Sequence, residues 1–164
     1  NKAYDGTTTA TISGTATLSG VVAGDSITLN TGSASAVFAD ATAATGKSVT
    51  VSGYSISGSK SASYSLTQPS GLTANITATS QSTLNAPTPT SGTNSRIYGD
   101  VLTVNSTGGS GTGAITYSVT GSGCNVSGAT LTATGATICT VTATKSASSI
   151  YAETTATAAF AFSS

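Results

Sequence analysis

Residues 124–139 read CNVSGATLTATGATIC, and this stretch decides which kind of fold the chain can adopt. Val, Leu and Ile alternate with Asn, Ser and Thr, which is the period-two pattern of strands that bury one face. Gly128 and Gly135 interrupt the alternation, and glycine supplies the backbone freedom that tight turns need. The stretch therefore predicts strand, turn, strand, turn and strand, with a cysteine at each end.

The same alternation recurs along the rest of the chain, whereas the apolar spacing of an amphipathic helix is almost absent. Each alternating run is short and is bounded by Gly, Asn, Asp or Ser, as in antiparallel sandwiches. We therefore predict an all-β fold of two tandem antiparallel Ig-like β-sandwich modules. The predicted strands lie in residues 10–20, 26–30, 35–39, 47–57, 63–68, 72–79, 96–105, 114–120, 129–134, 138–145 and 154–162.

The composition argues against several functional classes. The 164 residues include five basic side chains, five acidic side chains and no histidine, so the net charge is zero. A chain with so few basic residues lacks the positively charged surface that binds nucleic acids. The absence of histidine removes the usual general base and the commonest metal ligand. No apolar run is long enough to span a bilayer. We therefore expect a non-enzymatic protein without catalytic residues, cofactor, metal, nucleic-acid partner or membrane insertion.

Prolines mark the predicted boundary between the two modules. Pro87 and Pro89 lie in the segment Ser82–Gly92, which has no charged residue. Proline lacks an amide donor and fixes its own φ, so this segment is expected to be extended and to stay outside the sheets. We therefore predict a first module over residues 1–82, a linker over 83–92 and a second module over 93–164.

Cys124 and Cys139 are predicted to form a disulfide bond. Closing a loop of this size is worth about 3 kcal/mol in the chain-entropy model, and modules this small are near the limit of an unaided core. Such a bond also favours an exported protein. The alternatives are two buried free thiols or a metal site, and two thiolates without histidine or nearby acids leave a tetrahedral site incomplete.

Each predicted module begins with a tyrosine beside an aspartate and a glycine. The two motifs are Tyr4-Asp5-Gly6 and Tyr98-Gly99-Asp100. They are predicted to be turns in which the aspartate caps the turn, the glycine takes a positive φ and the tyrosine packs over the end of the sandwich. A ligand site at these residues is the alternative.

A covalent cross-link between Lys2 and Asn75 is a further hypothesis. The hypothesis takes Lys2 as the start of a first strand ahead of residue 10, and Asn75 lies in the last strand of the first module. An amide bond between them requires a desolvated lysine and a carboxyl group that polarises the amide. The alternatives are an ester between a threonine and Gln68, or an unreacted, solvated lysine and asparagine. The acids that could assist are Asp5, Asp25 and Asp40.

Alternating threonines place hydroxyl groups on one face of several predicted strands, in residues 7–11, 140–144 and 155–157. Threonine is a good strand former, so an ordinary solvent-facing surface is one interpretation. The other interpretation is a flat array that binds ice or a crystalline polysaccharide.

Several short motifs resemble known modules. Residues 1 to about 79 contain KAYDGTT at 2–8, Gly24-Asp25, Gly46-Lys47 and YSLTQ at 64–68. Together they resemble the YDG-type repeat of large bacterial adhesins, including filamentous-haemagglutinin-like proteins. Residues from about 93 to 164 resemble the bacterial Ig-like modules of such proteins. The residues that carry this second resemblance are Tyr98-Gly99-Asp100, GAITYS at 113–118, TVTATK at 140–145 and Tyr151.

The resemblance implies tandem sandwiches that space a binding tip from the bacterial cell, without catalysis. On this reading the chain is a mechanically stable stalk segment of an extracellular adhesin at the cell surface, and its partners are neighbouring repeat modules. The alternative is a ligand-binding module that recognises glycan or host protein through loops at the sandwich ends. The tyrosines that could serve as binding platforms are Tyr54, Tyr64, Tyr98, Tyr117 and Tyr151.

Overall fold

A computed structural model describes residues 1–164, and the regular structure is almost entirely β-strand. The all-β prediction is confirmed. The chain divides into two compact units, Asn1–Thr77 and Ala78–Ser164, which we call unit 1 and unit 2. The one helical element is a 3₁₀ turn at Ser61–Ser63, so no helix of this protein has the length to cross a bilayer.

Unit 1 contains a five-stranded sheet in the order β1-β7-β5-β4-β2 and a two-stranded sheet of β3 and β6. Alternation along β4 and β5 directs one side chain in two to the inner face, where Phe38 pairs with Val49 and Ala36 with Val51. The strands are β1 Lys2–Ala3, β2 Thr9–Ala10, β3 Thr28–Asn30, β4 Ser35–Phe38, β5 Ala44–Ser52, β6 Ser55–Ser57 and β7 Leu72–Thr77.

Unit 2 contains two four-stranded sheets, in the orders β12-β13-β10-β8 and β11-β14-β15-β9. Both sheets contribute to one core: Leu102, Val104, Leu131 and Ala133 from the first, and Cys139, Val141, Phe160 and Phe162 from the second. Two sheets around a shared core form a β-sandwich. The strands are β8 Thr88–Pro89, β9 Ser95–Ile97, β10 Leu102–Asn105, β11 Ile115–Thr120, β12 Cys124–Ser127, β13 Thr130–Ala133, β14 Thr137–Lys145 and β15 Thr154–Ser163.

Two strand pairs are parallel, which corrects the prediction of purely antiparallel sheets. β1 runs parallel to β7 in unit 1, and β9 runs parallel to β15 in unit 2. Each pair joins the first strand of a sheet to the last strand of its unit. A tight hairpin enforces antiparallel pairing only between neighbouring strands, and these strands are separated by most of the unit, so the connection permits either direction.

The division between the units lies earlier than the predicted linker. Residues 83–92 belong to unit 2, in which Pro87 is fully buried and Leu84 is 4% exposed. β8 pairs with β10 at the edge of its sheet, with Pro89 opposite Val104. An edge strand needs hydrogen bonds on one side only, so a proline is tolerated there.

Two predicted strands are absent. Residues 11–27 contain no strand, and the prediction over 10–20 retains only the short β2. Gly14, Gly20 and Gly24 have positive φ in this region, so the chain turns repeatedly where the period-two pattern suggested a ladder. Residues 64–68 are also outside any strand, and there the Gln68 side chain bonds the N–H and the carbonyl of Tyr54.

Candidate functional site

Each unit has one parallel strand pair that includes its last strand, β1 with β7 in unit 1 and β9 with β15 in unit 2, and we call this pair the terminal latch. In unit 2 the short edge strand β8 precedes β9. The unit 1 latch is Asn1–Tyr4 with Asn75–Thr77, and the unit 2 latch is Asn94–Tyr98 with Ala159–Ser163. In unit 1 Lys2 is opposite Ile76 and Ala3 is opposite Thr77. In unit 2 the opposed pairs are Ser95 with Ala161, Arg96 with Phe162 and Ile97 with Ser163.

The two tyrosine motifs have equivalent positions in their latches. The Tyr4 N–H donates to the Thr77 carbonyl at 2.9 Å, and the Tyr98 N–H donates to the Ser163 carbonyl at 2.9 Å. In both units this bond comes directly after the first latch strand and reaches the last latch residue. The weak similarity between the two motifs therefore corresponds to one backbone interaction that occurs twice.

Side chains extend both latches. The Asn75 N–H donates to Asn1 Oδ1 at 2.7 Å in unit 1. In unit 2 the Ala161 N–H donates to the Asn94 carbonyl at 2.9 Å, and Asn94 Nδ2 donates to the Ala159 carbonyl at 3.3 Å. An asparagine one residue before the first latch strand thus bonds the last strand in each unit.

The two motifs differ in how they turn. Asp5 caps its turn with Oδ1, which accepts the Thr7 N–H at 2.9 Å, and Gly6 has a φ of 77°. In unit 2 the Asp100 N–H donates to the Ile97 carbonyl at 3.2 Å, and Gly99 has a φ of 90°. Gly6 and Gly99 both take the predicted left-handed conformation. The predicted side-chain cap is present at Asp5, whereas at Asp100 the turn is closed by its backbone N–H.

Lys2, Asp5 and Thr7 form a hydrogen-bonded cluster beside the unit 1 latch. Lys2 Nζ donates to Asp5 Oδ1 at 2.7 Å, to Thr7 Oγ1 at 2.9 Å and to the Thr7 carbonyl at 2.7 Å. The ammonium also lies 5.7 Å from the ring centre of Phe38, within range of a cation–π interaction. The Lys2 hydrogen bond and then the Thr7 N–H lower the pKa of Asp5 to about 2.

Lys47, Asp40 and Thr42 repeat this cluster elsewhere in unit 1. Lys47 Nζ donates to Asp40 Oδ1 at 2.5 Å and to Thr42 Oγ1 at 3.1 Å. The Thr42 N–H and hydroxyl also donate to Asp40 Oδ1. The Lys47 hydrogen bond and then those of Thr42 lower the pKa of Asp40 to about 2. This repetition was not predicted, although an Asp-x-Thr with a nearby lysine occurs at both places.

The structure does not bring the proposed cross-link partners together. Lys2 is opposite Ile76 in β7, so the Lys2 side chain shares the inner face with Ile76, and the side chain of the preceding residue, Asn75, points to the other face. Asn75 Oδ1 accepts the Gly46 N–H at 2.9 Å instead. Lys2 is paired with Asp5, which was proposed as the assisting acid.

Asp25, also considered as an assisting acid, belongs to a different contact. The Tyr64 hydroxyl donates to Asp25 Oδ2 at 2.7 Å and accepts the Val22 N–H at 3.0 Å. The Asp25 hydrogen bond raises the pKa of Tyr64. These bonds hold the irregular segment 11–27 against the part of unit 1 that follows β6.

Two glutamines act as backbone clamps. Gln68 accepts the Tyr54 N–H at 3.2 Å and donates to the Tyr54 carbonyl at 2.8 Å, so an ester at Gln68 would require these bonds to break. Gln81 accepts the Gly111 N–H at 3.2 Å and donates to the Ala152 carbonyl at 2.8 Å. Nothing in the sequence around Gln81 distinguishes it from other polar residues of the segment.

Cys124 and Cys139 are joined by a disulfide bond, as predicted, with an S–S distance of 1.96 Å and a Cα–Cα distance of 5.7 Å. Cys124 belongs to β12 and Cys139 to β14, so the bond connects the two sheets of unit 2. Cys139 is fully buried in the core. The disulfide is therefore a covalent tie across the sandwich rather than within a hairpin.

The outer face of the β11-β14-β15 sheet carries a regular array of hydroxyl groups, which we call the hydroxyl face. Thr116, Thr144 and Thr155 are opposite one another across the three strands. The next rows are Ser118, Thr142 and Thr157, then Thr120, Thr140 and Ala159. This face carries no charged or aromatic side chain, because Tyr117 and Lys145 occupy the alternate positions.

An open groove of about 280 Å³ lies on the inner face of the unit 1 sheet. Ala36, Phe38, Val49 and Val51 line its floor, and Leu72 at its edge is 42% exposed. No group of three or more histidine, cysteine or acidic side chains lies together in this protein.

A family model of the YDG domain matches residues 1–71. No curated protein and no solved structure matches the chain. The YDG part of the resemblance is therefore confirmed. The resemblance of residues 93–164 to bacterial Ig-like modules stays a prediction.

Proposed function

We propose that the chain is a non-catalytic stalk segment of a large bacterial cell-surface adhesin, that it works outside the cell, and that it transmits tension between neighbouring repeat modules. In this proposal unit 2 is a bacterial Ig-like module that follows the YDG domain. The observation that carries the proposal is the terminal latch, which occurs in both units with the same strand direction and the same tyrosine bond.

A latch of parallel strands resists stretching for a geometric reason. Tension enters unit 1 at β1 and leaves it at the end of β7. In unit 2 the short edge strand β8 precedes β9, so tension reaches β9 once β8 has separated from β10, and it leaves at the end of β15. When the two latch strands run parallel and are hydrogen-bonded, opposite pulls slide one along the other. Their backbone bonds must then break together, whereas an antiparallel pair pulled from adjacent ends opens one bond at a time.

Single-molecule force spectroscopy on the chain held at its two ends tests this proposal. We expect discrete rupture events rather than continuous extension. The variant Tyr98→Pro lacks the N–H that bonds the Ser163 carbonyl, and it should lower the rupture force of unit 2. Tyr98→Ala is the matched control, because it removes the ring and keeps the amide. Equal rupture forces in Tyr98→Pro and Tyr98→Ala would show that the latch does not resist the pull.

Glycan binding is a second candidate function, and the hydroxyl face is the observation that favours it. Eight of the nine residues in its three rows carry a hydroxyl group, in strict register, on a neutral surface. Such a surface is complementary to a neutral, repeating, polyhydroxylated ligand rather than to an anionic one. The candidate surface is then the threonine array that the sequence suggested at residues 140–144 and 155–157, rather than the loops at the sandwich ends.

Retention on insoluble neutral polysaccharide, measured by co-sedimentation with cellulose or chitin, tests the second candidate. Thr142→Lys places a charged side chain in the centre of the hydroxyl face and should abolish retention. Thr103→Lys on the exposed side of β10 is the control and should retain the parent behaviour. No retention of the parent chain on any such solid would remove glycan binding by this face from consideration.

A further inference from the structure

We propose that the two units yield in a fixed order under tension, with unit 1 opening first and unit 2 remaining folded until the force rises further. This inference rests on the proposed stalk function. It assigns unit 1 the role of an extensible element and unit 2 the role of a resistant one. Three independent features of the structure lead to this order.

The first feature is the length of the terminal latch. The unit 1 latch has two opposed residue pairs, whereas the unit 2 latch has three. In unit 2 Asn94 bonds β15 through both its carbonyl and its side chain, and Ser163 Oγ donates to the Arg96 carbonyl at 3.4 Å. More bonds must break together to slide β9 along β15 than to slide β1 along β7.

The second feature is the core behind each latch. The buried apolar residues of unit 1 are Ala36, Phe38, Val51 and Ile76, and the groove of about 280 Å³ opens beside them. Those of unit 2 are Leu84, Leu102, Val104, Leu131, Ala133, Cys139, Val141, Ala143, Phe160 and Phe162. Because burial of apolar area is the main source of folding stability, unit 1 has less to lose when it opens.

The third feature is the covalent tie across unit 2. The Cys124–Cys139 disulfide joins β12 to β14, so the two sheets stay connected even after β9 separates from β15. The bond also keeps the residues between the cysteines from extending. Unit 1 has no cysteine and therefore no such restraint.

The disulfide provides a label that identifies each unit in a force experiment. Cys139 is fully buried and Cys124 is partly buried, and the residues between them can extend only when unit 2 has unfolded and the bond has been reduced. Reduction then allows the segment between the cysteines, a sequence separation of 15 residues, to extend. This adds about 50 Å to the length of the unfolded chain, at about 3.4 Å per residue. Only the event that belongs to unit 2 can be followed by this additional extension.

The deciding experiment is a force ramp on the intact chain, held at its ends, with and without a thiol reductant. We expect two events, with the additional extension of about 50 Å following only the second and higher-force event. If the extension follows the first event, the proposed order is overturned. The double variant Cys124→Ala with Cys139→Ala is the control, and its unit 2 event should show no response to the reductant.

Native-state hydrogen exchange tests the order without force. We expect the slowest-exchanging amides to belong to β14 and β15, and all amides of β1 and β7 to exchange faster. Slower exchange in β1 and β7 than in β15 would overturn the inference. If the force ramp showed no discrete event, the stalk function would fail, and hydrogen exchange would still decide whether unit 1 is the weaker unit.

Discussion

At the scale of single residues, charge pairing and turn capping account for the conformation of the opening KAYDGTT. Asp5 caps a turn with one oxygen, and the same oxygen accepts the Lys2 ammonium. The Lys2 side chain is only 17% exposed, so the pairing with Asp5 compensates for the partial loss of water around the ammonium. The same arrangement at Lys47 and Asp40 shows that unit 1 uses this solution twice.

These clusters predict that unit 1 is acid-sensitive. The pKa of Asp5 and that of Asp40 are lowered to about 2 in the folded protein, from 3.8. A lowered pKa means that the folded state favours the charged form. The stability from each carboxylate is therefore complete above about pH 4 and is lost as the pH falls towards about 2.

Thermal melting of unit 1 at pH 7, 4 and 2 measures this effect. The melting temperature should fall mainly between pH 4 and pH 2, and added salt should weaken the effect because both carboxylates are more than half exposed. The double variant Asp5→Asn with Asp40→Asn should lack this part of the pH dependence. A parent chain with an unchanged melting temperature at pH 2 would contradict the prediction.

Ser106 is the other residue from which a prediction follows. Its side chain is buried, with the residue 5% exposed, and its hydroxyl has no hydrogen-bond partner. A buried hydroxyl without a partner is destabilising, so Ser106→Ala should raise the free energy of unfolding of unit 2 by about 1 kcal/mol. Denaturant unfolding measures this change. Ser118→Ala on an exposed strand face is the control, and a loss of stability in Ser106→Ala would contradict the prediction.

At the scale of strands, the disulfide connects two strands that belong to different sheets. The local sequence pattern predicts the strands but does not show that they lie in different sheets. The stretch 124–139 was predicted as three consecutive strands, and β12, β13 and β14 confirm that order. β12 and β13 pair with each other, whereas β14 enters the opposite sheet. The chain therefore crosses the sandwich between Ala133 and Thr137, and the bond spans this crossing.

Loss of the disulfide should destabilise unit 2 and leave unit 1 unchanged. The double variant Cys124→Ala with Cys139→Ala should lower the free energy of unfolding of unit 2 by about 3 kcal/mol. Denaturant unfolding followed by hydrogen exchange assigns the change to one unit or the other. An equal loss in both units would show that the tie does not act locally.

At the scale of the whole molecule, the covalent state can be read from one mass measurement. The structure contains one disulfide bond and directs the side chains of Lys2 and Asn75 to opposite faces of the sheet. Under non-reducing conditions the intact mass should therefore be lower than the sequence mass by two hydrogen atoms only. Loss of a further ammonia would show that an amide cross-link forms after all, and full reduction should restore the sequence mass.

Much of the fold was predictable because its signals are local. The alternation in residues 114–120, 138–145 and 154–162 corresponds closely to β11, β14 and β15. The predicted strand over 10–20 is almost entirely wrong, because residues with small side chains alternate there without enough apolar area to hold a sheet. The boundary between the units lies earlier than the predicted linker. The missing N–H of Pro89 predicted that this segment stays outside the sheets, but β8 is an edge strand and does not need that donor.

The sequence by itself determined the all-β class, the positions of most strands, the cysteine pair and the two glycine turns, since each depends on neighbours along the chain. Only the tertiary structure decided that β1 lies beside β7, that β9 lies beside β15 and that Lys47 meets Asp40. The reason is physical. A period of two tells which face of a strand is buried, but it contains no information on which distant strand completes the sheet, and that choice depends on how the whole unit buries its apolar faces.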